Sequence, residues 1–198
     1  MQLANSFKEA IFQMMEEIAQ LIPDAHKEEP VKGYLTGGAA VHFYANKRVS
    51  DDIDLIMQYV VNIPSDLFVV WLNEEGLLEE VHYDHTFNAS FGLFQEEYED
   101  RAIHLITIDE KLEIYLLSPE DLIISKLLRF AQNDEEDIEN IIKTGKVHRE
   151  RLLELASGAI SVGVGFRPEN AHMNLALVLE MFDTLNVDSN STDNSKVQ

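Results

Sequence analysis

The stretch from residue 34 to residue 56 constrains the fold more than any other part of the chain. It begins with an apolar run that ends at Gly37 and Gly38 and continues as a second apolar segment over residues 39–44. This order predicts a strand end, a tight turn and the start of a helix. Glycines in such a turn allow a positive φ angle and let the backbone approach a ligand closely. Because the first N–H groups of a helix suit an anion, the turn at Gly37 and Gly38 is predicted to bind phosphate; the alternative is that the two glycines only reverse the chain.

Two aspartates follow in a second apolar run. Asp52 and Asp54 are two residues apart, so a strand would place both on one face and Ile53 and Leu55 on the other. Adjacent carboxylates repel each other, and a hard divalent cation such as Mg²⁺ is the usual remedy. The alternative is a strand edge with two solvated acids, although aspartate is disfavoured in strands. The sequence therefore predicts that Asp52 and Asp54 bind a metal ion.

Taken together, Gly-Gly and Asp-x-Asp in this order resemble the signature of the polymerase-β-type nucleotidyltransferase superfamily. The motifs Gly-Gly-Ala-Ala at 37–40 and Arg-x-Ser-x-Asp-Ile-Asp-Leu at 48–55 are similar to those of the small prokaryotic branch that includes AbiEii-like toxins. The resemblance covers most of residues 31–143. It implies a Mg²⁺- or Mn²⁺-dependent enzyme that moves a nucleoside monophosphate from an NTP to an acceptor. It also implies nucleotide contacts by Arg48 and Ser50.

A second group of charged residues follows the same resemblance. Lys126 is followed by Asp134 and Asp137, as in the AbiEii-like pattern. The resemblance implies that Lys126 contacts the leaving group and that Asp134 and Asp137 contact the nucleotide. Two structural alternatives stay open. Lys126, at the edge of the apolar arc of a helix predicted over 119–132, would extend along the surface, and Asp134 would cap a helix.

A third carboxylate from a neighbouring strand is common in the superfamily. Glu113 is the best-placed candidate by sequence, with Asp109 behind it. Without a third acid the chain would be a degenerate relative that binds nucleotides without catalysis. A further alternative is a protein-interaction module whose acidic surface engages a basic partner.

The pattern along the chain predicts an α/β (α+β) fold: a mixed β-sheet with flanking helices, followed by a C-terminal helical part. Predicted domains are an α/β core at 1–117, helices at 118–187 and a disordered polar tail at 188–198. Helices are predicted at 4–22, 39–46, 65–75, 119–132, 135–143, 147–157 and 169–186. Strands are predicted at 31–36, 53–59, 86–94, 103–108 and 112–117.

Composition bears on the partner. The chain has 15 basic and 36 acidic residues, a formal net charge of −21 at pH 7, and no cysteine. A protein that grips a long nucleic acid normally has a basic face, and here there is only a short basic run at 143–151. The acceptor is therefore left open among tRNA, a protein and a small molecule, with a cognate antitoxin as a possible binding partner. The first residues lack the pattern of a signal peptide, and no apolar run reaches membrane-spanning length, so a cytoplasmic location without membrane contact is expected.

Overall fold

The computed structural model describes residues 3–87, 89 and 92–193, with side chains as far as residue 185. The chain divides into two compact units. The first comprises Met1–Asn88 with Glu99–Ser118, and the second comprises Ala89–Tyr98 with Pro119–Gln198. The domain boundary predicted between residues 117 and 118 remains a prediction.

The first unit is built on one six-stranded mixed sheet. Its strands are β1 Val31–Thr36, β2 Asp52–Met57, β3 Phe68–Leu72, β4 Leu78–Tyr83, β5 Ile103–Ile108 and β6 Leu112–Leu116. Their order across the sheet is β3-β4-β2-β1-β6-β5. The pairs β1–β6 and β2–β4 are parallel, and the remaining neighbours are antiparallel. The predicted fold class, a mixed sheet with helices around it, is confirmed.

The helices of this unit are the long α1, Phe7–Leu21, and α2, Gly37–Ala45. A short helix, α3, spans Tyr98–Arg101, and its last three residues belong to this unit. The N-cap of α1 is Ser6, whose Oγ accepts the Glu9 N–H at 3.2 Å, while the Glu9 carboxylate accepts the Asn5 N–H at 2.7 Å. This reciprocal capping fixes the helix start. Its apolar side is buried and packs against β3, where Phe7 meets Trp71 with ring centroids 5.5 Å apart.

The second unit is helical. Its helices are α4 Pro119–Ser125, α5 Gln132–Lys143, α6 Arg149–Val162 and α7 Pro168–Asp193. The helix α6 packs on α4 and α7, and α5 packs on α7. Fully buried Leu122, Ile138 and Leu152 form part of its core. No helix within the described residues is long and apolar enough to cross a membrane.

The helix predicted at 65–75 is wrong, because this segment contains β3. Asn73 follows β3 directly, and its Oδ1 accepts the N–H groups of Glu75 and Leu77 at 3.0 and 2.9 Å. Gly76 adopts φ +77° in the same turn. The turn folds β3 back onto β4, and the aromatic and β-branched run of β3 then pairs as a strand.

The strand predicted at 86–94 is also wrong for the residues that the structure describes, since none of these belongs to a strand. Residues 88, 90 and 91 lie outside the described part. The strand occurs earlier, as β4, and Asp84 ends it. Its Oδ1 accepts both the amide N–H and the hydroxyl of Thr86, at 2.8 and 2.6 Å. This side-chain turn competes with further strand pairing.

Two predicted boundaries in the second unit need correction. The helix predicted at 119–132 ends at Ser125, and Lys126 therefore lies in the following turn; Phe130, at φ +46°, is incompatible with a continued helix. The backbone of α7 continues to Asp193, beyond the helix end predicted at residue 186. Residues 194–198, the last part of the predicted tail, lie outside the described residues. Extending an existing helix fixes one residue at a time, which explains why a polar sequence can continue it.

Candidate functional site

The glycine pair forms the first turn of α2, directly after β1. Gly37 adopts φ +63°, the left-handed region that the predicted turn requires. Thr36 precedes the helix and makes no side-chain hydrogen bond to its first N–H groups. The first N–H groups of α2 are thus not capped by the Thr36 side chain, and the phosphate-binding role of Gly37 and Gly38 remains a prediction.

Asp54 lies directly against this turn. The strands β1 and β2 pair so that Thr36 stands opposite Asp54. A Cβ atom on Gly37 would overlap the Asp54 carboxylate, and one on Gly38 would lie 2.8 Å from Ser50 Oγ. The same Cβ on Gly38 would lie 3.2 Å from Arg48 Nε. Neighbouring polar side chains thus leave no room for a side chain at either glycine. The Gly-Gly turn and the Asp-x-Asp strand, which are separate in the sequence, lie next to each other in the fold.

The connector that carries Arg48 is held by His42 on α2. The Nδ1 of His42 lies 2.7 Å from the carbonyl oxygen of Arg48, and because a carbonyl only accepts, Nδ1 carries the proton. The His42 ring packs edge-on against Phe7, with centroids 5.0 Å apart. His42 therefore fixes the backbone of Arg48 and, through it, the segment that reaches Gly38.

The strand β2 presents its acids on one face, as predicted. Ile53 and Leu55 are buried, whereas Asp52 is exposed and Asp54 is half-buried. Partial desolvation, followed by the nearby carboxylates of Asp84 and Asp51, raises the pKa of Asp52, and His82 opposes this only in part. The charged form of Asp52 is thus disfavoured in the protein alone and would be stabilised by a cation.

Asp84 is the neighbouring acid that sequence reasoning missed. The strands β2 and β4 are parallel, with Asp52 opposite His82, and the Asp84 N–H donates to the Ile53 carbonyl at 3.1 Å. Strand alternation then puts Asp84 on the side of Asp52 and Asp54. In the sequence, Asp84 is visible only as an acid that directly follows the alternating run at 78–83. Its position beside Asp52 depends on the pairing of β4 with β2, which the sequence does not reveal.

The two acids considered as third carboxylates from sequence lie elsewhere in the sheet. Glu113 is on β6, which β1 separates from β2, and it stands opposite Lys32 rather than Thr36. That offset alone is about 13 Å along the strands. Its Oε2 accepts the Tyr115 hydroxyl at 2.8 Å. Asp109 lies in the β5–β6 turn with φ +51°.

The donor set at Asp52 and Asp54 suits magnesium. Within the part of the chain that the structure describes, no group of three His, Asp or Glu side chains is arranged to hold a metal ion. Mg²⁺, however, is commonly held by one or two carboxylates together with water and substrate phosphates. Two same-face aspartates beside a phosphate-type turn therefore fit a Mg²⁺ ion that arrives with a nucleotide.

The second predicted group is an ion network within the second unit. Lys126 is only 6% exposed. Its Nζ lies 2.8 Å from Asp137 Oδ2 and 3.4 Å from Asp134 Oδ1. Arg129 binds Asp134 through two nitrogens, at 2.7 and 2.6 Å. Lys126, Asp134 and Asp137 are thus brought together with one another, and their roles toward a nucleotide remain predictions.

Asp134 also stabilises the start of α5, although not as its N-cap. The N-cap is Ala131, and the Asp134 carboxylate reaches back three residues to accept the Ala131 N–H at 3.0 Å. Burial opposes ionisation of Asp134. The hydrogen bonds from Arg129 and Ala131 and the charges of Lys126 and Arg129 outweigh it and lower the pKa of this carboxyl. Asp134 is therefore a buried, ionised group with protein partners.

A family model matches most of the chain. No curated protein and no solved structure matches the chain. The model of the family described as "Nucleotidyltransferase of unknown function (DUF6036)" matches residues 9–184, which include both the Gly-Gly turn and the Asp-x-Asp strand. The chain therefore belongs to this nucleotidyltransferase family.

Proposed function

We propose that the protein is a Mg²⁺-dependent nucleotidyltransferase that moves a nucleoside monophosphate from an NTP to an acceptor. One observation carries this proposal: the Asp54 carboxylate occupies the position where a side chain on Gly37 would begin. A carboxylate held against a backbone turn suited to phosphate is the arrangement needed to bring a cation and a triphosphate together.

Each residue has a separate task in the proposed site. The N–H groups at the start of α2, around Gly37 and Gly38, bind phosphate oxygens. Arg48 and Ser50, which border Gly38, add side-chain contacts to the same anion. Asp52 and Asp54 hold the cation, and Asp84 supplies a further carboxylate beside them.

The proposed reaction is a displacement at phosphorus. An acceptor hydroxyl or phosphate oxygen forms a bond to the α-phosphorus while the bond to pyrophosphate breaks. A bound Mg²⁺ would screen the charge on the phosphate oxygens during this transfer. The chain's own contribution is to align the triphosphate on the turn and keep the carboxylates on the side that faces it.

The surface charge supports a protein or small-molecule acceptor at least as well as RNA. In the basic run at 143–151, Arg149 forms a two-nitrogen pair with Asp183, and Lys143 pairs with Glu139. These cations are thus already matched with acids on a chain of net charge −21. The resemblance to AbiEii-like toxins supports a toxin–antitoxin or phage-defence setting with a cognate antitoxin, and the acceptor assay below is the first step in testing it.

The test is transfer of label from each α-labelled NTP. The protein is incubated with Mg²⁺ or Mn²⁺ and, in separate reactions, with total RNA, lysate protein or a small-molecule extract. Asp52→Asn and Asp54→Asn should abolish labelling, whereas Asp66→Asn, an exposed aspartate in the loop before β3, should not. Undiminished labelling by both site variants would refute the proposed site.

A nucleotide-binding module without turnover is the second candidate. The observation in its favour is that the Oδ1 of Asp84, a neighbouring acid, already accepts two hydrogen bonds from Thr86, which leaves only Oδ2 without these contacts. This alternative predicts Mg²⁺-dependent NTP binding by titration calorimetry and no labelled product with any acceptor fraction. Binding that is lost in Asp54→Asn would still support the same pocket.

A further inference from the structure

The second unit carries an open groove between α5 and α7 whose chemistry is independent of the proposed reaction. Leu177, Met181 and Leu185 form its floor, and Glu135, Glu139 and Glu180 form its edges. The volume is about 330 Å³. Residues four apart lie on one side of a helix, so the three floor residues form a stripe along α7.

The apolar stripe is longer than the groove. Leu177 is 42% exposed, and Met173, one turn earlier on the same side of α7, is 60% exposed. From residue 173 to residue 185 the stripe measures about 18 Å, or more than three helical turns. Single exposed apolar residues are ordinary, whereas a continuous stripe in a groove is typical of a surface that binds a partner helix.

The charges around the groove select the partner. Its described lining residues include three glutamates and no lysine, arginine or histidine. Glu139 is paired with Lys143, and Glu135 and Glu180 add negative charge on the two sides. A partner helix would therefore need an apolar face flanked by basic residues.

The same charges argue against two other occupants. A second copy would bring glutamate edges together between chains that each carry −21. Residues 194–198 of this chain, Asn-Ser-Lys-Val-Gln, offer one apolar side chain and one cation, too few to cover the stripe. We infer that the groove binds a basic amphipathic helix of a partner protein.

Two synthetic peptides of about 18 residues test the inference. Both carry the same leucine stripe, one with lysines and the other with glutamates on the remaining faces. Binding to the full-length protein is measured by fluorescence anisotropy at about 0.05 and 0.3 M salt. The lysine peptide should bind, more weakly at the higher salt, and the glutamate peptide should not.

Variants locate the binding. Met181→Lys and Glu180→Lys should each weaken the lysine peptide at least about tenfold. Leu153→Lys, at a 39% exposed leucine on α6, is the matched control and should bind as the wild type does. Circular dichroism and melting temperature verify the fold of each variant.

Four outcomes would overturn the inference. They are equal binding of the two peptides, binding of neither, an equal loss in Leu153→Lys, and a wild-type dimer in light scattering that Met181→Lys dissociates. The last would mean that a second copy occupies the groove.

Discussion

Replacing Lys126 with methionine tests whether the buried ion network stabilises the second unit or serves a nucleotide. Methionine keeps most of the aliphatic stem and removes the charge. The Lys126 side chain is 6% exposed, and the Asp134 and Asp137 side chains that it pairs with are 1% and 4% exposed. Removing one member of a buried ion pair typically costs about 3–5 kcal/mol, because the remaining charge stays buried without compensation. For a chain of this size that corresponds to a loss of about 6–20 °C in melting temperature.

Three further variants give reference values for this loss of stability. Lys143→Met removes an exposed pair with Glu139, one turn apart on α5, and should cost about 0.5 kcal/mol or less. Arg129→Met should fall between the two, because its side chain is 73% exposed although its partner Asp134 is buried. Adding Asp137→Asn to Lys126→Met should restore part of the lost stability, since it removes one of the stranded charges.

Unfolding in urea should be followed by two signals without nucleotide. Far-UV circular dichroism reports mainly on helices, whereas fluorescence reports on Trp71, the single tryptophan, which belongs to the first unit. We expect Lys126→Met to shift the circular dichroism transition. The competing hypothesis, in which Lys126 contacts the triphosphate, expects unchanged stability and weaker NTP binding. A loss of less than about 1 kcal/mol together with about tenfold weaker NTP binding would refute the ion-network reasoning.

Three further outcomes follow from the first unit and from Asp134. Gly37→Ala should abolish NTP binding and destabilise the fold, because the new methyl group would overlap the Asp54 carboxylate. Gly76→Ala is the control, because Gly76 also has a positive φ, +77°, but a Cβ there would have nothing within 4 Å. It should lower the free energy of unfolding in urea by about 1–2 kcal/mol, the cost of the backbone strain, and leave NTP binding intact. Asp52→Asn should not lower the metal-free melting temperature, since the pKa of Asp52 is raised and its charge is disfavoured, and it should remove any Mg²⁺-induced stabilisation in thermal melts. The pKa of Asp134 is lowered, so its stabilising contribution is complete above the unfolded-state pKa of about 3.9 and is lost as the pH falls through the folded-state pKa. The free energy of unfolding, measured in urea from neutral to acidic pH, should therefore decrease less steeply in Asp134→Asn than in the wild type.

The parts of the site that sequence could predict depend on local rules. The strand β1 spans Val31–Thr36, as predicted, and Gly37 has the positive φ that a glycine before a helix suggests. The same-face placement of Asp52 and Asp54 follows from strand alternation alone. Each of these features is decided within a few residues of chain, where periodicity and glycine chemistry act directly.

The parts that sequence could not predict depend on pairing between distant segments. Asp84 lies beside Asp52 and Asp54 only because β4 pairs in parallel with β2. The β3–β4 hairpin could not be predicted from sequence, because the apolar run of β3 is also compatible with a helix. Lys126 is predicted within a helix over 119–132, but α4 ends one residue before it. The turn after α4 then brings Lys126 between Asp134 and Asp137, eight and eleven residues later.

The carboxylates of the two units differ in whether basic groups of the protein compensate their negative charge, and this difference indicates where an added cation would bind. In the second unit, Lys126 and Arg129 surround Asp134, and the pKa of this carboxyl is lowered by groups of the protein itself. In the first unit, partial desolvation and the acids Asp84 and Asp51 raise the pKa of Asp52. A divalent cation has little to gain where the charge is already compensated, and most to gain where carboxylates raise one another's pKa. A Mg²⁺ ion should therefore stabilise the first unit and leave the Lys126 network unchanged.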